Sequence, residues 1–254
     1  MQVVLNGSMF TILSLNCCLW PVGIRGTFSS AQKNERCNII PHVLQTADVA
    51  ICQEVLSWSQ NKWITRMKPY LHYDWIDSDI NSGLWTITHF TILSQVFIPC
   101  KYLCLYSMTH PLGFLHTTIS INTHTIHVIN VHMLTDEAVC LFECFEKLYK
   151  QQLEHLLSYI ESLHGNWIIG GDFNVDGDDL LIQWFIVHLT KVGKLSYYHP
   201  TVSTCNENVS YANHRSKHMK VDHFYTNMEM KDCRVLYENV SDHYPIIATI
   251  ILPS

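Results

Sequence analysis

The 254-residue chain carries little charge, and less of it basic than acidic: Lys and Arg number 16 against 22 Asp and Glu, and charged residues make up only 15%. A net charge of −6 with histidine neutral excludes the basic footprint that tight, phosphate-driven nucleic-acid binding needs. It leaves room for an enzyme that meets a phosphoester through a metal ion. Glycine (10) and proline (8) are sparse, and no low-complexity tract, repeat or Pro/Ser-rich linker divides the chain. With 48% hydrophobic residues, the composition is the opposite of a disordered one, and one domain over residues 1–254 is the expectation. None of the ten cysteines forms a C-x-x-C pair, which excludes a zinc ribbon. They lie scattered in apolar segments, as free thiols packed like small hydrophobes in a reducing compartment. No apolar run reaches the roughly 18 residues that span a bilayer. Met9–Trp20 follows no Lys or Arg and is interrupted by Ser14 and Asn16, so it reads as a strand and not as a signal peptide. A cytoplasmic location is therefore expected. The N-x-[ST] matches at Asn6, Asn208 and Asn239 matter only in a secreted chain.

Short β-branched and aromatic runs mark strands at Phe10–Leu15, Val49–Cys52, Gly83–Ile87, Thr117–Ile121, Thr125–Val131, Trp167–Ile169, Val221–Tyr225 and Ile246–Ile251. Two helical patterns lie between them. One has a polar start at Asn34 and Glu35 and apolar Ile40, Val43, Leu44 and Ala47. The other carries Phe142, Phe145, Leu148, Leu153, Leu156, Leu157, Ile160 and Leu163, starting near Thr135–Glu137 and stopping at Gly165. Strands at both ends with helices between predict an α/β sandwich of covered sheets.

Acids, amides and histidines collect where these strands end. Asn16 follows the first strand, Glu54 the second and His132 the fifth. Asp172 and Asn174 follow Trp167–Ile169, Asp222 sits inside Val221–Tyr225, and Asp242 and His243 precede the last strand. Asp172 and Asn174 are two apart, so in an extended backbone both side chains face one way, while the competing reading is an Asx turn closing a strand. Glu54 leaves an apolar strand, a costly place for an acid unless it is paired or metal-bound, or simply surfaces there. Glu54, Asn16 and Asp242 form an oxygen-rich set that suits Mg²⁺, with Mn²⁺ as a substitute, rather than zinc. His243 beside Asp242 is a base titrating near neutrality, useful once its tautomer is fixed, and Asp222 is the candidate for that task. His214, Arg215, Lys217, His218 and Lys220 form the basic cluster, a phosphate-attracting loop or a solvated one. The stretch holding Tyr102, Leu103, Leu105, Tyr106 and Met108 reads as a membrane-surface contact or as a buried strand and loop.

Taken in order, Leu15-Asn16, Gln53-Glu54, Ser82-Gly83-Leu84, His132-Met133-Leu134, Gly171-Asp172-Phe173-Asn174, Val221-Asp222-His223-Phe224 and Ser241-Asp242-His243-Tyr244-Pro245 resemble the endonuclease/exonuclease/phosphatase superfamily. Leu13-Ser14-Leu15-Asn16-Cys17-Cys18-Leu19-Trp20-Pro21 and Gln152-Leu153 are similar to its neutral sphingomyelinase branch. The chain departs from that branch at Val131-His132-Met133, Thr88–Thr91 and Leu112-Gly113. The resemblance implies a deoxyribonuclease-like α/β/β/α fold, two β-sheets flanked by helices, and Mg²⁺-dependent cleavage of a phosphodiester. It further implies that Glu54, Asn16 and Asp242 hold the metal. Asp172 or His243 deprotonates the attacking water, Asp222 fixes His243, and His132 and Asn174 donate to the phosphate. A phospholipid head group is the favoured substrate; DNA or RNA is the alternative.

Overall fold

The computed structural model describes residues 9–19, 30–55, 75–77, 82–100, 112–135, 144–206 and 219–253. The Tyr102–Met108 stretch, the basic residues His214–His218, Asn6 and Asn208 lie outside them.

Twelve strands among the described residues form two six-stranded sheets. The first contains β1 (Met9–Asn16), β2 (Val49–Gln53), β3 (Trp75–Asp77), β4 (Trp85–Thr88), β11 (Glu229–Val235) and β12 (Ile246–Ile251), in the order β11-β12-β1-β2-β4-β3. The second contains β5 (Thr91–Pro99), β6 (Gly113–Ile121), β7 (His124–His132), β8 (Asn166–Asp172), β9 (Ser196–Tyr198) and β10 (Asp222–Thr226), in the order β5-β6-β7-β8-β10-β9. Each sheet has one parallel pair at its centre, β1 with β2 and β7 with β8; the other pairs are antiparallel. Parallel neighbours need a crossover, and each crossover carries a helix: α1 (Ser30–Leu44) and α2 (Phe145–Glu161). A third helix, α3 (Leu180–Val192), lies beside α2.

Strand alternation assigns the layers. Phe10 and Ile12, Val49 and Ile51, Ile126 and Val128, Ile168, Phe224, Ile246, Ala248 and Ile250 point inward and pack sheet on sheet. From the opposite faces, Leu13, Leu15, Ala50, Cys52 and Ile247 meet Cys37, Ile40, Val43 and Leu44 of α1. On the other side Ile129, Val131, Trp167, Ile169 and Tyr225 meet α2 and α3. The order is thus helix, sheet, sheet, helices. A Cβ on Gly170 would sit 2.5 Å from Phe224 and 2.8 Å from Ile51, so its absence lets the sheets approach.

Element bounds differ from the sequence reading in places. Helix α2 starts at Phe145 after Cys144 and ends at Glu161, whereas Thr135, the expected start, is not helical. The sequence pattern does not mark helix α3 or strands β3, β5, β9 and β11, and β6 begins at Gly113, four residues before its predicted start. Among the described residues no helix is long and apolar enough to cross a membrane.

Candidate active site

The alternation that builds the inner core also builds the site. Continuing Phe10, Ile12 and Ser14 by two places along β1 brings Asn16 inward; His132 follows Ile126, Val128 and Asn130 on β7, and Asp172 follows Ile168 and Gly170 on β8. Asp222, at the start of antiparallel β10, pairs in register with Asp172, and Asp172 pairs with His132. The inner faces thus turn from apolar to polar at one end of the sandwich, outside the carboxyl ends of the parallel strands. This is where open α/β sheets place ligands.

Asp172 is its hub, 1% exposed. Its Oδ1 accepts the Asn174 backbone N–H at 2.8 Å and its Oδ2 accepts Asn16 Nδ2 at 2.9 Å. His132 Nε2 lies 3.7 Å and His243 Nε2 3.8 Å from Oδ2, wider than a hydrogen bond. His243 Nδ1 donates to Asp222 Oδ2 at 2.9 Å, which fixes the tautomer and leaves Nε2 facing Asp172. Burial by itself depresses His243, but Asp222 and Asp172 outweigh it and hold its pKa well above the ordinary histidine value. Burial pushes the Asp222 carboxyl up, against the pull of His243.

Glu54 enters from the side of β2. It is 8% exposed, and its backbone takes a left-handed φ of 54°, which costs a side chain other than Gly, Asn or Asp about 1–2 kcal/mol. The turn swings Glu54 out of the β2 alternation, so that Oε1 reaches within 3.7 Å of His132 Nε2. Strain held at a buried acid motivates a functional reading. Asp242 Oδ1 accepts Ser241 Oγ at 3.1 Å, and the same hydroxyl contacts the Asn16 carbonyl at 2.6 Å. The Cys18 thiol lies near both acids: burial, Asp242 and Glu54 raise its pKa, while Arg36 lowers it.

Asp172 and Asn174 do not share an extended face. Asn174 has φ 55° and its N–H closes an Asx turn on Asp172, while its Nδ2 donates to the Met133 carbonyl at 2.9 Å. Its second amide proton has no hydrogen-bond partner among the described residues. Gly171, φ 139°, makes the turn possible: a Cβ there would stand 2.1 Å from the Val131 carbonyl oxygen.

The metal-capable set within 4.8 Å among the described residues is Asp172, Asp222 and His243, and Glu54 and Asp242 stand outside it. In that set His243 Nδ1 is held by Asp222 Oδ2 at 2.9 Å, and Nε2 stands 3.8 Å from Asp172 Oδ2. Asn16 Oδ1, Glu54 and Asp242 offer oxygen atoms only, and the strained Glu54 is held toward the site; this donor chemistry fits a hard divalent ion.

Several supports lie behind the site, and of these Gln152 alone is marked in the sequence, by its likeness to the sphingomyelinase branch. Tyr149 of α2 donates to the Phe173 carbonyl at 2.6 Å, and Gln152 accepts the Leu134 N–H at 3.0 Å, bracing the segments behind Asp172 and His132. Residues Thr204–Asn206 clamp the Asp242–His243 turn: Asn206 N donates to the Asp242 carbonyl and Tyr244 N to the Thr204 carbonyl, both at 2.7 Å. These contacts of Thr204–Asn206 run through backbone atoms, which no side-chain pattern marks.

Two helix-covered sheets with an acid–imidazole floor at the strand ends define the deoxyribonuclease-like α/β sandwich, the fold of the endonuclease/exonuclease/phosphatase superfamily that the motifs resemble. Solved structures with this fold include beta toxin from Staphylococcus aureus with bound magnesium ions, at TM-score 0.73 and 18% identity, over 96% of this chain and 99% of that one. Sphingomyelinase C from Streptomyces griseocarneus is similar at TM-score 0.69 and 14% identity, covering 95% and 99%. An endonuclease/exonuclease/phosphatase family protein from Leptotrichia buccalis C-1013-b is similar at TM-score 0.67 and 18% identity, also covering 95% and 99%. No family profile and no curated protein matches by sequence, so the likeness is one of fold.

Proposed function

We propose that the chain is a magnesium-dependent phosphodiesterase that cleaves a phospholipid head group in the manner of a sphingomyelinase. The observation that carries this reading is the Asp222–His243 hydrogen bond at 2.9 Å, with His243 Nε2 turned to Asp172 and His132. An attacking water hydrogen-bonded by Asp172 and His243 loses its proton to the Asp172 carboxylate, Asp222 holding the imidazole ring in its orientation. His132 and the second amide proton of Asn174 donate to the phosphoryl oxygens as charge develops. Asn16 holds Asp172 in place through Nδ2. Glu54, Asn16 and Asp242 are the residues to hold the metal, which when bound polarises a phosphoryl oxygen and neutralises leaving-group charge. The net charge of −6 favours a substrate met through a metal ion over a long polyanion held by basic side chains.

The test offers sphingomyelin vesicles, supercoiled plasmid and single-stranded RNA to the purified chain in Mg²⁺ or EDTA, with His243→Ala as the contamination control. Phosphocholine release that needs both Mg²⁺ and His243 is the expected result. Nicked plasmid or shortened RNA with intact vesicles makes the protein a nuclease, and no cleavage of any substrate removes the phosphodiesterase reading.

A further inference from the structure

We propose that Arg36 is a positioning residue: its guanidinium joins the two chain segments that carry Asn16 and Asp242 and so sets the spacing of the metal-binding oxygens. The proposal rests on the metal-site reading of Asn16, Glu54 and Asp242 above. Arg36 lies on α1 amid Cys37, Ile40, Val43 and Leu44 and is 6% exposed. A guanidinium buried there is costly unless its donors are met. They reach three backbone carbonyls: Nε donates to Val240 at 2.5 Å, Nη1 to Cys18 at 3.3 Å and Nη2 to Cys17. Cys17 and Cys18 directly follow Asn16, and Val240 stands two residues before Asp242.

This junction is where the sheet stops helping. The antiparallel ladder of β1 with β12 ends at the Ser14–Ile246 pair, so residues 15–18 and 240–245 run on without it. Arg36 spans that gap, and the Ser241 hydroxyl closes it again on the Asn16 carbonyl. The effect reaches a side chain directly. Cys18 is held in a left-handed φ of 46°, and in that turn its N–H donates to Asn16 Oδ1 at 3.0 Å. The orientation of the Asn16 amide, with Nδ2 toward Asp172, therefore depends on a turn whose carbonyl Arg36 grips. A planar fork of five N–H groups meets three carbonyls at fixed angles; a lysine ammonium has the charge without the fork.

Charge and position predict opposite signs. Removing a cation near Glu54 and Asp242 tightens binding of a divalent cation by Coulomb's law alone, whereas losing the spacing weakens it. Mn²⁺ titration followed by electron paramagnetic resonance on the purified full chain compares wild type, Arg36→Lys and Arg36→Gln, with Glu54→Gln as the control for the site. Positioning predicts that both Arg36 variants bind Mn²⁺ at least about 10-fold more weakly, the size of effect seen when supports behind metal ligands are altered. Unchanged or tighter binding in Arg36→Gln overturns it. A wild type that binds no Mn²⁺, or a Glu54→Gln protein that binds like wild type, defeats the metal reading instead. In that case the Asn16 side-chain amide decides for Arg36: positioning requires its protons to lose exchange protection in Arg36→Lys, and unchanged protection overturns the proposal. Should neither variant fold, the Arg36 Nε–H of the unaltered protein carries the test by NMR. Slow exchange is expected, and exchange at the rate of a free guanidinium overturns the clamp.

Discussion

At the scale of single residues, buried acids become useful only through their partners. Asp222 and Asp172 are each 1% exposed, and an unpaired carboxylate at that depth is expensive. Both are engaged, Asp222 by His243 and Asp172 by Asn16 and the Asn174 N–H. Replacing His243 by Ala, or Asp222 by Asn, removes the oriented imidazole, and turnover is expected to fall by about 10²–10⁴-fold, the usual contribution of a positioned acid–base group. Circular dichroism and turnover on a short-chain phosphodiester check this together; a folded His243→Ala protein with near-normal turnover removes His243 from the mechanism. Glu54 makes a second prediction. Asn tolerates the left-handed region better than Glu, so Glu54→Asn is expected to keep or raise the melting temperature while losing Mg²⁺-dependent turnover. A fall in both marks Glu54 as a structural acid. These residues were visible in the sequence because they fall next to the ends of apolar runs. Arg36 was not: its partners are backbone carbonyls close and far in sequence, and no periodicity marks a carbonyl.

Among elements, the unit that matters is β7-α2-β8. Its parallel strands deliver His132 and Asp172 side by side, and α2 covers them with Tyr149, Leu153, Leu156 and Ile160. The amphipathic spacing of α2 was legible, although its start was not, since acids near Thr135 imitate a helix N-terminus. Helix α3 went unread because Leu180-Leu181-Ile182-Gln183-Trp184-Phe185-Ile186-Val187 is apolar on nearly every face and offers no period to detect. Strands β5 and β11 went unread for the opposite reason, having mostly exposed or half-exposed residues. The helix also braces the site by one hydrogen bond each at Tyr149 and Gln152. Tyr149→Phe leaves the Phe173 carbonyl without its donor, for an expected loss of about 1–3 kcal/mol in urea unfolding. Because Phe173 lies between Asp172 and Asn174, turnover of the folded variant should drop as well. Wild-type turnover with lowered stability would confine Tyr149 to the core.

Across the whole molecule, the helix-covered face of the second sheet holds histidines that folding keeps neutral. His116 on β6 accepts or donates to Tyr159 at 2.7 Å and to His127 at 2.9 Å, and burial followed by His127 lowers its pKa to about 4. His223 on β10, 0% exposed, donates to the Val175 carbonyl at 3.0 Å; burial and then His199 lower it to about 3. Burial lowers His199 too. For each, the folded pKa lies below the unfolded value of 6.5, so between about pH 6.5 and 4 the unfolded chain binds protons that the folded chain refuses. Their contribution is complete above pH 6.5 and is lost as the pH falls through this window. His243 has the opposite sign: its contribution is complete below the ordinary histidine value and is lost as the pH rises through its raised folded value. The histidines therefore predict greatest stability near neutrality. Asp222, with its raised pKa, works against the acid limb, so the wild-type curve alone does not isolate the histidines. His116→Gln does. Urea unfolding at pH 5, 6 and 7 should show a fall in stability toward pH 5 in both proteins, with a slope shallower in His116→Gln by up to one proton. Parallel slopes would mean that His116 is protonated in the folded protein, against its burial beneath α2.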